Sequence, residues 1–168
     1  KGAEAVNKIR AELSAAKVRF EVLDLASLAS VAAFGKRMQS EHQSLDLLIN
    51  NAAVMTPPNR QTTSDGFELQ FGTNYLGHFA LTTHLLPLLR KGRNPRVVNV
   101  ASVAVRNGAI NFDDLQSERD YKPMVAYGQA KLANLMFSFE LERRSDAAEW
   151  GITSIAAHPG ISRTDLLH

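Results

Sequence analysis

The chain contains no cysteine, so disulfide bridges and thiolate-held metal sites are excluded. It has no Asn-x-Ser/Thr acceptor for glycans. It has no unbroken apolar run of about 18 residues, the length that spans a bilayer. Internal repeats and low-complexity tracts are absent too. A surplus of one charge is also missing: 19 Lys and Arg stand against 17 Asp and Glu, a formal net charge of +2. The pI of about 9.1 therefore reflects near balance. No basic stripe with interleaved aromatics is present, and a nucleic-acid partner is not expected. The short run Arg90-Lys91-Gly92-Arg93 falls at a helix end, where cations suit the helix dipole. His78, His84 and His158 have no metal-ligand spacing with carboxylates and read as structural or surface residues.

What remains is an ordinary globular composition, 45% hydrophobic and 21% charged over 168 residues, enough for one domain with a sizeable core. A cytoplasmic protein fits it. Apolar periodicity predicts helices over about 3–16, from the Ser27 N-cap onward through Leu28, Val31, Ala32 and Met38, over about 65–91 and over about 124–145. Pro87 is expected to kink the third of these or begin a new turn, and Gly92 to close it. Runs at 18–23, 45–49, 96–101 and 152–157 read as strands, the second buried on both faces. Residues 106–123 look irregular, with Asn107-Gly108 and Asp113-Asp114 as turn signals. Strand–helix alternation predicts an α/β fold, a doubly wound parallel sheet.

In such sheets ligands bind beyond the carboxyl ends of the strands. The polar residues that interrupt the apolar pattern sit there: Asp24, Asn50-Asn51, Ser102 and the Pro159-Gly160 loop. The helix at 124–145 carries Tyr127 and Lys131, four apart and so on one face, roughly 5–6 Å apart at Cβ. A free phenol is a weak acid near neutrality. An ammonium about 5 Å away, at an effective dielectric near 20, stabilises the phenolate by roughly 3 kcal/mol. Tyr127 is then a candidate general acid toward a carbonyl and a general base toward an alcohol. Ser102 is a candidate hydrogen-bond donor to the same oxygen. Each residue also has a plain reading. Asp24 can cap the next helix, Asn50-Asn51 can be turn residues, Asn74 a satisfied core amide and Ser102 a cap. Phe67, Phe71 and Phe79 read as core.

The ordered set Asp24-Leu25, Asn50-Asn51-Ala52-Ala53, Asn74 within Phe71–Phe79, Val98–Ser102, Tyr127-x-x-x-Lys131 and Pro159-Gly160-x-x-x-Thr164 resembles the short-chain dehydrogenase/reductase family. The turn Phe112-Asp-Asp-Leu115 and the long interval from Ser102 to Tyr127 resemble its retinol-dehydrogenase-like branch. The resemblance implies a Rossmann-like single dinucleotide-binding catalytic domain over 1–168. It implies strands three to six of a seven-stranded pattern, without the first two strands and the last. It implies a catalytic set of Asn74, Ser102, Tyr127 and Lys131, with Asn74 anchoring a water that relays protons to Lys131. It implies cofactor contacts at Asp24, Leu25, Asn51, Ala52, Tyr127, Lys131, Pro159, Gly160, Ile161 and Thr164. The cofactor expected is NADP, with NAD possible, and the substrate a small carbonyl or alcohol. Pairing through the two long helices, to a homodimer or homotetramer, is also implied.

Departures from the family pattern are Ala53 where Gly is usual and Ala130 where Ser is frequent. The Gly-x-x-x-Gly-x-Gly phosphate loop is not found in this sequence. Because the first two strands, the glycine loop and the last strand of the family pattern are missing from these residues, the native enzyme is expected to hold roughly 100 or more further residues. These residues alone are expected to bind a dinucleotide poorly, since backbone N–H groups cradle the pyrophosphate. Two other readings stand beside the enzyme: a non-catalytic nucleotide-binding sensor or scaffold, and an inactive truncated fragment.

Overall fold

The structure is a computed structural model that describes residues 1–160. The order is α1 (Gly2–Glu12), α2 (Leu28–Glu41), β1 (Leu47–Asn50), a short α3 (Leu69–Phe71), a π-helical turn (Gly72–Leu76), α4 (Gly77–Leu89), β2 (Arg96–Val100), a 3-10 turn (Val103–Asn107), α5 (Pro123–Ala147) and β3 (Thr153–Ala157). The three strands form one parallel sheet in the order β1-β2-β3. Asn50 lies opposite Asn99, and Val98 opposite Ile155. Ala101 N–H donates to Ala157 O at 2.8 Å, carrying the β2–β3 pairing one residue past the strand end.

Local chemistry explains most boundaries. The Ser27 hydroxyl accepts from Ser30 N–H and starts α2 as expected. Lys122-Pro123 starts α5, with Pro at the first position, where its missing N–H costs nothing. Pro87 lies inside α4, which continues two residues beyond it.

Three expectations fail, one of them the core place of Phe79, which is 45% exposed on α4. Residues 18–23 form no strand. A β-ladder needs a neighbour to exchange backbone hydrogen bonds, and among the described residues no strand lies beside this stretch. β1 is not buried on both faces: Leu47 and Ile49 are exposed. The cause is one-sided cover. Val31 of α2, Leu81, Leu85, Leu88 and Leu89 of α4, and Leu141 of α5 pack with Val97 into one core, to which Leu48 adds its side chain. Leu47, Ile49 and Ile155, on the opposite face, have no such layer. Among the described residues no helix is long and apolar enough to cross a membrane, and no cluster of metal-ligating side chains occurs.

Candidate active site

Tyr127 and Lys131 sit on the buried face of α5, 5% and 3% exposed. The Lys131 Nζ lies 5.8 Å from the centre of the Tyr127 ring. It donates to Val100 O at 2.8 Å, at the carboxyl end of β2. An ammonium donates three hydrogen bonds, and this is the one it makes with the described residues. Burial pushes the Lys131 pKa down to about 8, because removing an ammonium from water disfavours its charge. The pair is therefore inside the protein at a strand end, and it is fixed by a backbone carbonyl rather than by a carboxylate.

Ser102 lies just past β2, as its position in the sequence requires. Its Oγ accepts from Ala104 N–H at 3.2 Å and caps the 3-10 turn. That bond uses a lone pair and leaves the hydroxyl proton available to donate. The turn packs tightly on α5. A Cβ at Gly108 would stand 2.9 Å from Gly128 O, the residue after Tyr127, so glycine here allows the close approach that brings the Ser102 segment to the Tyr127 helix.

Asn74 is fully buried within the π-helical turn. Gly77 N–H bonds to Gly72 O there, an i→i−5 bond, and such bulges recur at functional sites. Both ends of the Asn74 amide are taken by the loop after β1: Oδ1 accepts from Val54 N–H and Nδ2 donates to Val54 O, each at 2.8 Å. What Asn74 turns toward α5 is its backbone carbonyl. That oxygen accepts from Asn134 Nδ2 at 2.8 Å and lies 2.9 Å from His78 Nδ1. Burial above all, with the Lys131 charge adding, holds the His78 pKa below its usual range. The side chain is thus a satisfied amide, and the main-chain oxygen is the atom that meets α5.

The cofactor-side residues are less organised. Asp24 is exposed, and its Oδ1 accepts from Ala26 N–H at 2.9 Å, so its observed role is a local turn ahead of the Ser27 cap of α2. Leu25 lies against α4, where a Cβ at Gly77 would stand 2.4 Å from Leu25 O. Asn51 and Ala52 are exposed directly beyond β1, and Pro159 and Gly160 are exposed beyond β3. Ile161 and Thr164 lie outside the described residues.

Some neighbours of these residues escaped the sequence reading. Asn134 falls three residues after Lys131 and seven after Tyr127, so helical spacing alone placed it on their face. The Asn50–Asn99 pair is a cross-strand contact, with Asn50 Nδ2 donating to Asn99 Oδ1 at 2.8 Å, and only the register revealed it. Gln70 ties the start of α5 to the loop after β1: its Nε2 donates to Pro123 O at 2.9 Å and its Oε1 accepts from Thr56 N–H at 2.7 Å. No periodicity announces such a contact.

Comparison with known proteins agrees with this arrangement. The family model described as short chain dehydrogenase matches residues 1–168. The chain is 44% identical over 166 residues to retinol dehydrogenase 12 of Mus musculus, covering 99% of this chain and 52% of that protein. It is 45% identical over 170 residues to polyprenol dehydrogenase of Mus musculus, covering 99% and 50%. Among solved structures, it matches an uncharacterised protein from Mycobacterium paratuberculosis with a TM-score of 0.80 and 45% identity, over 95% of this chain and 57% of that one. It matches the Pseudomonas aeruginosa RhlG/NADP active-site complex with a TM-score of 0.70 and 25% identity, over 98% and 62%. The chain spans about half the length of the curated relatives it matches. With Lys131 held on Val100 O at the end of β2 and Ser102 just past that strand, the chain belongs to the short chain dehydrogenase family, in the retinol-dehydrogenase-like branch.

Proposed function

We propose that the protein is an oxidoreductase that moves a hydride between a nicotinamide cofactor and a carbonyl or alcohol, with Tyr127 as general acid and base. The observation that carries this reading is the buried Tyr127–Lys131 pair, with Nζ held on Val100 O at a strand end. In carbonyl reduction Tyr127 gives its hydroxyl proton to the carbonyl oxygen, and the Lys131 ammonium stabilises the phenolate left behind. Ser102 donates a hydrogen bond to the same oxygen. In alcohol oxidation the proton moves the other way.

The residues present fit the nicotinamide and ribose side of a dinucleotide; no pyrophosphate-cradling glycine loop occurs among them. Lys131 retains two donors suited to ribose hydroxyls. Asn51, Ala52, Pro159 and Gly160 offer exposed polar and small residues beyond two strand ends. When bound, the cofactor supplies or accepts the hydride, which no side chain can do. We assign NADP, as in the RhlG complex, ahead of NAD. Val103, Met124 and Val125 are exposed and adjoin Ser102 and Tyr127 in the chain. They favour an apolar substrate of the kind for which the retinol and polyprenol dehydrogenases are named.

The test is the nicotinamide absorbance band of the protein mixed with NADP or NAD and a panel of apolar alcohols, and with the reduced cofactors and a panel of carbonyls. A time-dependent change with at least one substrate is expected. Cofactor binding without turnover on the whole panel would instead support a sensor or scaffold. We also infer pairing of two copies through α4 and α5, which expose Phe79, Met136 and Phe139. A monomeric sedimentation profile would refute it.

A further inference from the structure

Asn134 is 2% exposed, in the middle of α5. Its Nδ2 donates to Asn74 O at 2.8 Å. Its Oδ1 is buried and has no hydrogen-bond partner among the described residues. Thr73, which precedes Asn74 in the same π-helical turn, likewise has a buried hydroxyl without a partner. A buried amide oxygen left unpaired is costly, and native proteins satisfy such atoms with ordered water. Packing does not need a polar group at this place. Ala130 and Ala133, on the neighbouring positions of α5, are buried with Phe71 in an apolar cluster.

We propose that Asn134 is a positioning residue of the proton path: one end of its amide clamps the Asn74 carbonyl against α5, and the other holds a buried water beside Lys131. The inference rests on the oxidoreductase reading above and adds a residue to it. A π-helical turn leaves its carbonyls without the ordinary i→i−4 geometry, so an outside donor is needed to fix where Asn74 O points. Asn134 supplies that donor from the helix that carries Tyr127 and Lys131, one turn from the ammonium. Alignment of the relay oxygen with Lys131 is thereby set within a single rigid element. The titratable groups beside the Lys131 ammonium are Tyr127 on α5 and His78 on α4; β2 contributes the uncharged Val100 carbonyl.

Two variants of the full-length enzyme test this. Asn134→Leu keeps the branched shape, at a somewhat larger volume, and removes both polar ends. It should lower kcat by up to about 100-fold, the scale of a misplaced catalytic group, with KM for the alcohol within about threefold. Asn134→Asp replaces the donor by a carboxylate one helical turn from Lys131, and should move the Lys131 titration, followed by NMR of the labelled lysine side chain, upward. Asn134→Leu should not raise it. A crystal structure of the wild type should show an ordered water on Asn134 Oδ1. The proposal is overturned if Asn134→Leu keeps its kcat, or if its loss equals the unfolded fraction measured by thermal melting. It is also overturned if Asn134→Asp leaves Lys131 where it was, or if the crystal structure shows a protein group on Oδ1. Absence of wild-type turnover would instead sink the oxidoreductase reading. The titration and the crystal structure would still judge the placement of Asn134.

Discussion

Lys131 and Asp24 are both charged residues near the carboxyl ends of apolar segments, and both match the family pattern, yet the fold treats them in opposite ways. Lys131 is buried and bonded to a strand more than thirty residues away, through Val100 O. Asp24 is exposed and bonded to Ala26, two residues away. The segment of Lys131 is enclosed by α4, the π-helical turn and β2. The segment of Asp24 rests on α4 and has no strand beside it among the described residues. Proton chemistry needs the first environment, where a low dielectric strengthens each charge interaction. A local turn needs nothing beyond its own backbone.

Four experiments can break or sharpen this contrast. The largest effect is expected from Tyr127→Phe. Loss of the hydroxyl should reduce turnover by roughly 100- to 10,000-fold while the melting temperature stays close to the wild type; an active variant would remove Tyr127 from the mechanism.

Burial of Lys131 gives the second effect, on stability. Its ordinary pKa is 10.5 and its folded value about 8. Below about pH 8 both states are charged, and the folded state bears the full cost of burying the ammonium. Between about 8 and 10.5 the folded state loses its proton while the unfolded state keeps it, so stability rises with pH. The rise is about 3 kcal/mol over that window. Urea titrations at a series of pH values should show it in the wild type and not in Lys131→Met. Equal slopes would mean that Lys131 is solvated.

The third effect concerns the seat of the Asp24 segment. In Gly77→Ala the new methyl would stand 2.4 Å from Leu25 O, a contact that the backbone relieves only by moving. A loss of about 1–3 kcal/mol is expected by urea unfolding. A neutral result would show that residues 24–26 are not held on α4. The smallest effect is expected at Asp24 itself. Asp24→Ala should cost about 0.5–1.5 kcal/mol through the lost bond to Ala26 N–H, and Asp24→Asn, which keeps the acceptor, should cost less. If Asp24→Ala also weakens cofactor binding in a calorimetric titration, the cofactor contact implied by the family resemblance exists beside the local turn.

Sequence reading reached the helices through their apolar period and, for α2, through the Ser27 cap, which acts within one turn of where it stands. It reached β2 and β3 through continuous apolar runs. It missed at 18–23, since a strand is defined by a partner and no local pattern supplies one. It also missed the exposure of Ile49, because an apolar run records what a residue tolerates and not which layers cover it. At the site, residue types at fixed spacing were legible: Tyr127 and Lys131 on one helical face, and Ser102 at a strand end. The anchors were not. Val100 O holding Lys131, Val54 holding both ends of the Asn74 amide and Asn134 clamping the Asn74 carbonyl all join residues far apart in the chain.

The sequence by itself determined the family, the parallel α/β plan and the presence of a phenol–ammonium pair four residues apart on a helix. These follow from local spacing and composition, which the chain carries whatever it packs against. Only the tertiary structure decided that this pair faces the inside and not the solvent. It decided that burial draws Lys131 down to about 8, and that Asn74 presents its backbone oxygen rather than its side chain. Solvation and hydrogen-bond partnership depend on which distant segments enclose a group, and no interval along the chain states that.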